Sequence, residues 1–84
     1  MDALEENGIA DNTILFFTSD HGDNLGSHGY FNKGLLIEES IRVPMICHWL
    51  AALAPQHNTT QAASIVDVMP TLLGLGGLAL PETL

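Results

Sequence analysis

Asn12-Thr13-Ile14-Leu15-Phe16-Phe17-Thr18-Ser19-Asp20-His21-Gly22-Asp23 holds the sharpest change of character in the chain. From Thr13 to Thr18 the residues are β-branched, apolar or aromatic, in a continuous run without alternation. That pattern predicts a strand covered on both faces, as in a parallel sheet with helices on each side. At Ser19 the run turns polar, so Asp20 and His21 are predicted to project from the carboxyl end of the strand, where open α/β sheets bind their ligands. Asp20 offers a hard oxygen and His21 a borderline nitrogen. Although adjacent in sequence, they can converge on one ion because the backbone leaves the extended conformation there, and Gly22 permits the turn. The competing reading is a strand-end turn with a solvated carboxylate. The position directly after an apolar strand, with His28 and Lys33 in the same glycine-rich loop, adds weight to the site, although these residues alone leave the turn the stronger reading.

Working outward, Asp2 to Asn7 reads as a short helix with an acidic first turn, stopped by Asn7-Gly8 in a left-handed conformation. Ser19 to Arg42 is a long connection carrying Gly22, Gly26, Gly29 and Gly34, with His28 and Lys33 among them, and connections of that length in compact domains are usually functional. A short helix is expected around Leu35 to Ser40, and a second strand at Val43 to Trp49. Ala51 to Thr60 reads as a loop around Pro55. Ala63 to Leu75 offers a last helix with Ser64 as N-cap and Asp67 in its first turn, unless Pro70 marks the first turn instead. Gly74, Gly76 and Gly77 end it. These elements describe part of an α/β sheet with flanking helices. Two strands cannot cover their own apolar faces, so missing sequence or another chain is expected to complete the sheet.

The 84 residues allow one small domain at most, and with 46% apolar and 14% charged residues the composition is that of a globular core. The net charge of -8, with ten carboxylates against only Lys33 and Arg42, argues against a nucleic-acid partner, because phosphate contacts need basic side chains. A cationic partner such as a metal ion fits better. Cys47 is the single cysteine, which excludes an internal disulfide and a multi-cysteine zinc site. No apolar stretch reaches the roughly 18 residues of a membrane span. Met1 to Glu6 has neither the basic nor the apolar region of a signal peptide. Nothing here fixes a compartment.

Asn12 to Gly29, then Lys33 and Glu38-Glu39-Ser40-Ile41-Arg42-Val43-Pro44, resembles the later half of the sulfatase catalytic domain, within the alkaline-phosphatase-like superfamily. Val66-Asp67-Val68-Met69-Pro70-Thr71-Leu72-Leu73 and the glycine-rich stretch ending at Pro81 resemble the family's next motif, in the same order. Ordered motifs at compatible spacing carry far more weight than any one of them. The resemblance implies a partial alkaline-phosphatase-like sheet and hydrolysis of a sulfate ester. It implies that Asp20 and His21 are the family's late pair of metal ligands, a position where many members carry Asp-Asn and others Asp-His. It further implies that Lys33 contacts the anionic ester group and the nucleophile. His28, in the same loop, is placed where it can point into the site, and is carried as a second candidate catalytic residue. Calcium is the family's usual metal; a histidine ligand leaves manganese or another transition ion open, as in the phosphonate and phosphodiester hydrolases of the superfamily, which form the alternative reading.

The departures are equally specific. The family's nucleophile is a cysteine converted to formylglycine, or a serine, in a Cys/Ser-x-Pro-x-Arg motif, and its early metal ligands are carboxylates; neither is among these residues. Cys47 is followed by His48-Trp49-Leu50-Ala51, without the proline or the arginine, and is expected to be a buried thiol. Met1 corresponds to a point inside the catalytic domain, so residues 1–84 are expected to be a fragment of a sulfatase-type catalytic domain, inactive alone, or a non-catalytic metal-binding remnant. Arg42 is expected to pair with a neighbouring carboxylate, and Phe16, Phe17 and Trp49 to be core. His48 and His57 carry no assigned role. Asn58-Thr59-Thr60 forms a glycosylation triplet of the kind that arises by chance.

Overall fold

A computed structural model describes residues 1–58 and 60–82; Thr59 of the glycosylation triplet lies outside them. Helix α1 spans Asp2–Glu6, a 3-10 turn covers Ala10–Asn12, and strand β1 runs Leu15–Thr18. The long connection contains a 3-10 turn at Ser27–Gly29 and the one-turn helix α2, Glu38–Ile41, before strand β2 at Met45–His48. A 3-10 turn at Ile65–Asp67 leads into helix α3, Val68–Leu75. β1, β2, α1 and α3 fall within the stretches expected for them, with strands shorter than the apolar runs that contain them, while α2 begins at Glu38 rather than Leu35 and the turns at Ala10–Asn12 and Ser27–Gly29 are not among the expected elements.

The helix ends follow from named residues. Ser64 and Asp67 form a capping box, in which the Ser64 N–H donates to Asp67 Oδ2 at 3.3 Å. Pro70 then sits in the first turn of α3, where its missing N–H costs no intrahelical bond. At the other end Gly77 takes a φ of +71°. The Leu78 N–H reaches the Leu73 carbonyl at 2.9 Å, and the Gly77 N–H reaches Gly74 at 3.1 Å. This pair of bonds is a Schellman stop. The same arrangement closes α1, with the Ile9 N–H on the Leu4 carbonyl at 3.0 Å.

The pairing of β1 with β2 corrects the parallel expectation. The strands are antiparallel, with Phe16 opposite Cys47 and Phe17 opposite Ile46. A parallel pair needs a crossover, usually a helix that carries the chain back to the starting edge. Here the connection spends its length on loops and the one-turn α2, so the chain returns antiparallel.

The expected core also needs correction. Among the described residues no hydrophobic side chain is buried, and Phe17 is 58% exposed. Cys47 is exposed rather than buried. Trp49 is half-buried, and its Nε1–H donates to the Asp11 carbonyl at 3.0 Å, tying the end of β2 to the turn before β1. A two-stranded ribbon has two faces, and the extensive packing between elements is confined to β1 on β2 and the 3-10 turn on α3. The radius of gyration, 16.3 Å, exceeds the ~12 Å of a self-packed chain this long. No helix among the described residues is long and apolar enough to cross a membrane.

Among the described residues the two buried ones are polar, Asn24 at 2% and Ser40 at 4% exposure, and both belong to the connection. The Asn24 backbone is satisfied, its N–H donating to the Asn32 carbonyl at 2.8 Å and its carbonyl accepting from Ser27 at 2.7 Å. Its side-chain Oδ1 and Nδ2 have no partner. A buried amide without partners costs about 1–3 kcal/mol, and leucine has nearly the same shape. Asn24→Leu is therefore expected to raise stability by about 1–2 kcal/mol, read as a higher urea midpoint at unchanged slope. An unchanged or lowered midpoint would mean that the amide is paired in solution.

Candidate metal and anion site

The chain leaves β1 at Ser19 through a tight turn. The Ser19 hydroxyl donates to the His21 carbonyl at 2.8 Å, and the His21 N–H donates to Asp20 Oδ1 at 3.0 Å. These local bonds hold the two side chains on one side of the turn. Asp20 Oδ2 and His21 Nε2 stand 3.4 Å apart. Lys33, returned by the loop, places its Nζ 2.5 Å from the same His21 Nε2. Asp20, His21 and Lys33 thus share one locus.

The second ring nitrogen fixes the tautomer. His21 Nδ1 lies 2.7 Å from the Gly22 carbonyl, which can only accept, so in the neutral imidazole Nδ1 carries the proton. Nε2 is left with a lone pair facing Asp20 and Lys33. This is the usual orientation of a metal-binding histidine, whose far nitrogen donates to a carbonyl. Partial loss of hydration opposes ionisation of Asp20. Electrostatic attraction from the neighbouring His21 ring, hydrogen bonding from the His21 and Asp20 backbone amides and the Lys33 ammonium outweigh it, holding the carboxyl below its ordinary value. Asp20 is consequently a carboxylate throughout the neutral range.

The donor set fits a divalent ion. Two donors each about 2.2 Å from one ion stand about 3–3.5 Å apart at ordinary coordination angles, which matches the Asp20–His21 separation. Among the described residues no group of three or more histidine, cysteine or carboxylate side chains could hold a metal, so Asp20 and His21 alone do not complete a coordination shell. The mixed oxygen and nitrogen donors suit calcium less closely than an all-oxygen set would, and suit manganese well.

Among the described residues His28 makes no hydrogen bond or ion pair with Asp20, His21 or Lys33. It adopts a left-handed φ of +54°, and its Nε2 lies 3.6 Å from Glu39 Oε1. The Ser27 hydroxyl donates to that same oxygen at 2.9 Å. The Glu39 carboxyl is held below its ordinary value, by backbone hydrogen bonding first and then by Ser27, with His28 adding a smaller effect. Serine and histidine both address the carboxylate rather than each other, so these three residues lack the order of a nucleophile, base and orienting acid. Arg42 pairs with Glu38 at 3.0 Å on the exposed face of α2.

The backbone behind the site is supplied by α2. The Gly22 N–H donates to the Ser40 carbonyl at 2.8 Å, and the Gly34 N–H donates to Ser40 Oγ at 3.2 Å. Glu39, Ser40 and Ser27 went unassigned in the sequence, because a short Glu-Glu-Ser helix has no pattern distinguishing a site support from a solvated turn.

A largely exposed loop, anchored by the buried Asn24 and Ser40, brings a carboxylate, an imidazole and an ammonium together at the end of a sheet strand, the place where α/β folds present ligand-binding groups. The comparisons make the class particular. The sulfatase family profile matches residues 1–78, and the chain belongs to that family. It is 38% identical over 79 residues to an N-acetylglucosamine-6-O-sulfatase of Bacteroides thetaiotaomicron, a match covering 94% of this chain and 14% of that protein. It is 37% identical over 84 residues to an arylsulfatase of Clostridium perfringens, covering 96% of this chain and 18% of that protein. Among solved structures, the Bacteroides fragilis yidJ crystal structure superposes with a TM-score of 0.90 at 40% identity, covering 98% of this chain and 18% of that one. A structure solved with its substrate, D-glucosamine-2-N,6-O-disulfate, superposes with a TM-score of 0.85 at 36% identity over 98% of this chain and 17% of that chain. The fold is therefore part of an alkaline-phosphatase-like sheet with flanking helices, and the chain spans less than one fifth of these relatives' lengths.

Proposed function

We propose that this chain supplies the late metal-ligand pair and the anion-contacting lysine of a sulfatase-type ester hydrolase, as the C-terminal part of its catalytic domain. The observation that carries the reading is the convergence of the Asp20 carboxylate, the His21 Nε2 lone pair and the Lys33 ammonium at the end of β1. Asp20 and His21 would hold a divalent ion, either calcium, the usual metal of the family, or manganese or another transition ion, which the histidine nitrogen suits better. The ion supplies charge neutralisation at the sulfuryl oxygens. Lys33 adds a fixed positive charge beside the ester, where stabilising developing negative charge contributes most. The nucleophile and the remaining ligands come from sequence outside these residues.

The rest of such a domain also accounts for the uncovered faces. Phe17 and Ile46 stand opposite one another on the sheet, each 58% exposed, and Leu36 on the connection is 92% exposed. Apolar surface in this amount is normally buried. The chain alone is expected to show no turnover, since it carries no Cys/Ser-x-Pro-x-Arg motif.

The reading is tested by grafting residues 1–78 over the matching segment of the Bacteroides fragilis relative and assaying an aryl sulfate with calcium or manganese supplied. Sulfate-ester hydrolysis that stops on chelation is the expected result. A folded graft without that activity, beside an active parent, overturns the reading.

A further inference from the structure

We propose that Ser40 is the positioning residue that sets Lys33 against Asp20 and His21. The proposal rests on the reading of those three as the metal and anion site, and it assigns a role to a residue that never touches substrate or ion. Ser40 is 4% exposed, and it bonds to both arms of the site. Its carbonyl accepts from the N–H of Gly22, the residue after His21, at 2.8 Å. Its hydroxyl accepts from the N–H of Gly34, the residue after Lys33, at 3.2 Å. One residue thereby holds two segments whose functional side chains are twelve positions apart.

The two bonds differ in kind. The carbonyl bond to Gly22 belongs to the backbone and survives any side chain at position 40. The hydroxyl bond to Gly34 depends on the serine. The Lys33 side chain is exposed and long and is held at its tip by His21, so the direction of its stem depends on the backbone on either side. Removing the hydroxyl frees the Lys33 arm while leaving the His21 turn docked. On the far side of the loop, Glu39 holds Ser27 through its carboxylate, which keeps α2 in place independently of Ser40 Oγ.

The test uses residues 1–78 grafted into the Bacteroides fragilis relative, with the Ser40→Ala and Ser40→Thr variants of that graft, followed by NMR. In Ser40→Ala, amide exchange at Gly34 is expected to accelerate about fivefold, the loss of one ordinary hydrogen bond, with Gly22 exchange unchanged. The nuclear Overhauser contact between Lys33 and the His21 ring should weaken in parallel, and Ser40→Thr, which keeps the hydroxyl, should restore both. Equal loosening of Gly22 and Gly34 in Ser40→Ala would mark a merely structural serine and overturn the proposal. So would an unchanged Lys33–His21 contact, or its absence in the unsubstituted graft. Manganese line broadening in the unsubstituted graft separates the two readings. Broadening that bypasses Asp20 and His21, while the Ser40 variants behave as stated, removes the metal assignment and leaves Ser40 standing.

Discussion

Gly22→Ala is expected to cost about 3 kcal/mol of stability, at the top of the overpacking range, and to abolish divalent-ion binding at Asp20 and His21. A Cβ built on Gly22 would overlap the Glu39 carbonyl oxygen, lie 2.9 Å from the Glu39 carbonyl carbon and 3.3 Å from the Ser40 oxygen. These neighbours are backbone atoms of α2, so no rotamer change relieves the clash. The turn must swing away, which breaks the Gly22 N–H bond to Ser40 and carries His21 off Lys33. Gly74→Ala provides the contrast. Its Cβ meets nothing within 4 Å inside α3, and alanine there should stabilise by about 0.5–1 kcal/mol. Urea midpoints and manganese titrations of the two variants check both halves; ion binding retained in Gly22→Ala would show that the turn does not depend on this close approach.

That contrast marks where the sequence is legible. The apolar run ending at Thr18 places β1, Asn7-Gly8 places the stop of α1, and Ser64 with Asp67 places the start of the last helix, because each is decided by residues within a turn of one another. Asp20 and His21 are legible for the same reason, as polar residues at a strand's end, and Lys33 through the resemblance to the family. Gly22 reads only as a turn glycine. The reason it must be glycine lies at Glu39, far along the chain, and a close approach between distant backbones leaves no local signature. Ser40 was invisible on the same account. The antiparallel return of β2 and the exposure of Phe17 and Cys47 depend on what else covers the sheet, and an apolar run states only that something should. His28 shows a further limit: its loop was identified, but its left-handed φ and its turn toward Glu39 follow from the fold of the whole connection.

Lys33→Met should affect binding and turnover in opposite directions. The Lys33 ammonium donates to His21 Nε2, the nitrogen whose lone pair a divalent ion would take, and it adds positive charge beside Asp20. Ammonium and ion therefore compete for one donor and repel each other. Methionine keeps most of the stem's bulk and removes the charge, so manganese affinity of the chain, measured by titration, should rise severalfold. In the grafted enzyme the same substitution removes the positive charge facing the ester, and loss of one such preorganised group costs on the order of 10²–10³-fold in kcat. Lys33→Arg retains the charge but spreads it over a wider planar fork, so affinity should stay near the parent's while only part of the lost turnover returns. A general loss of structure would lower affinity and turnover together. A Lys33→Met chain that binds manganese no better than the parent would show that Lys33 does not sit on the metal-facing nitrogen, and the shared locus with Asp20 and His21 would have to be abandoned.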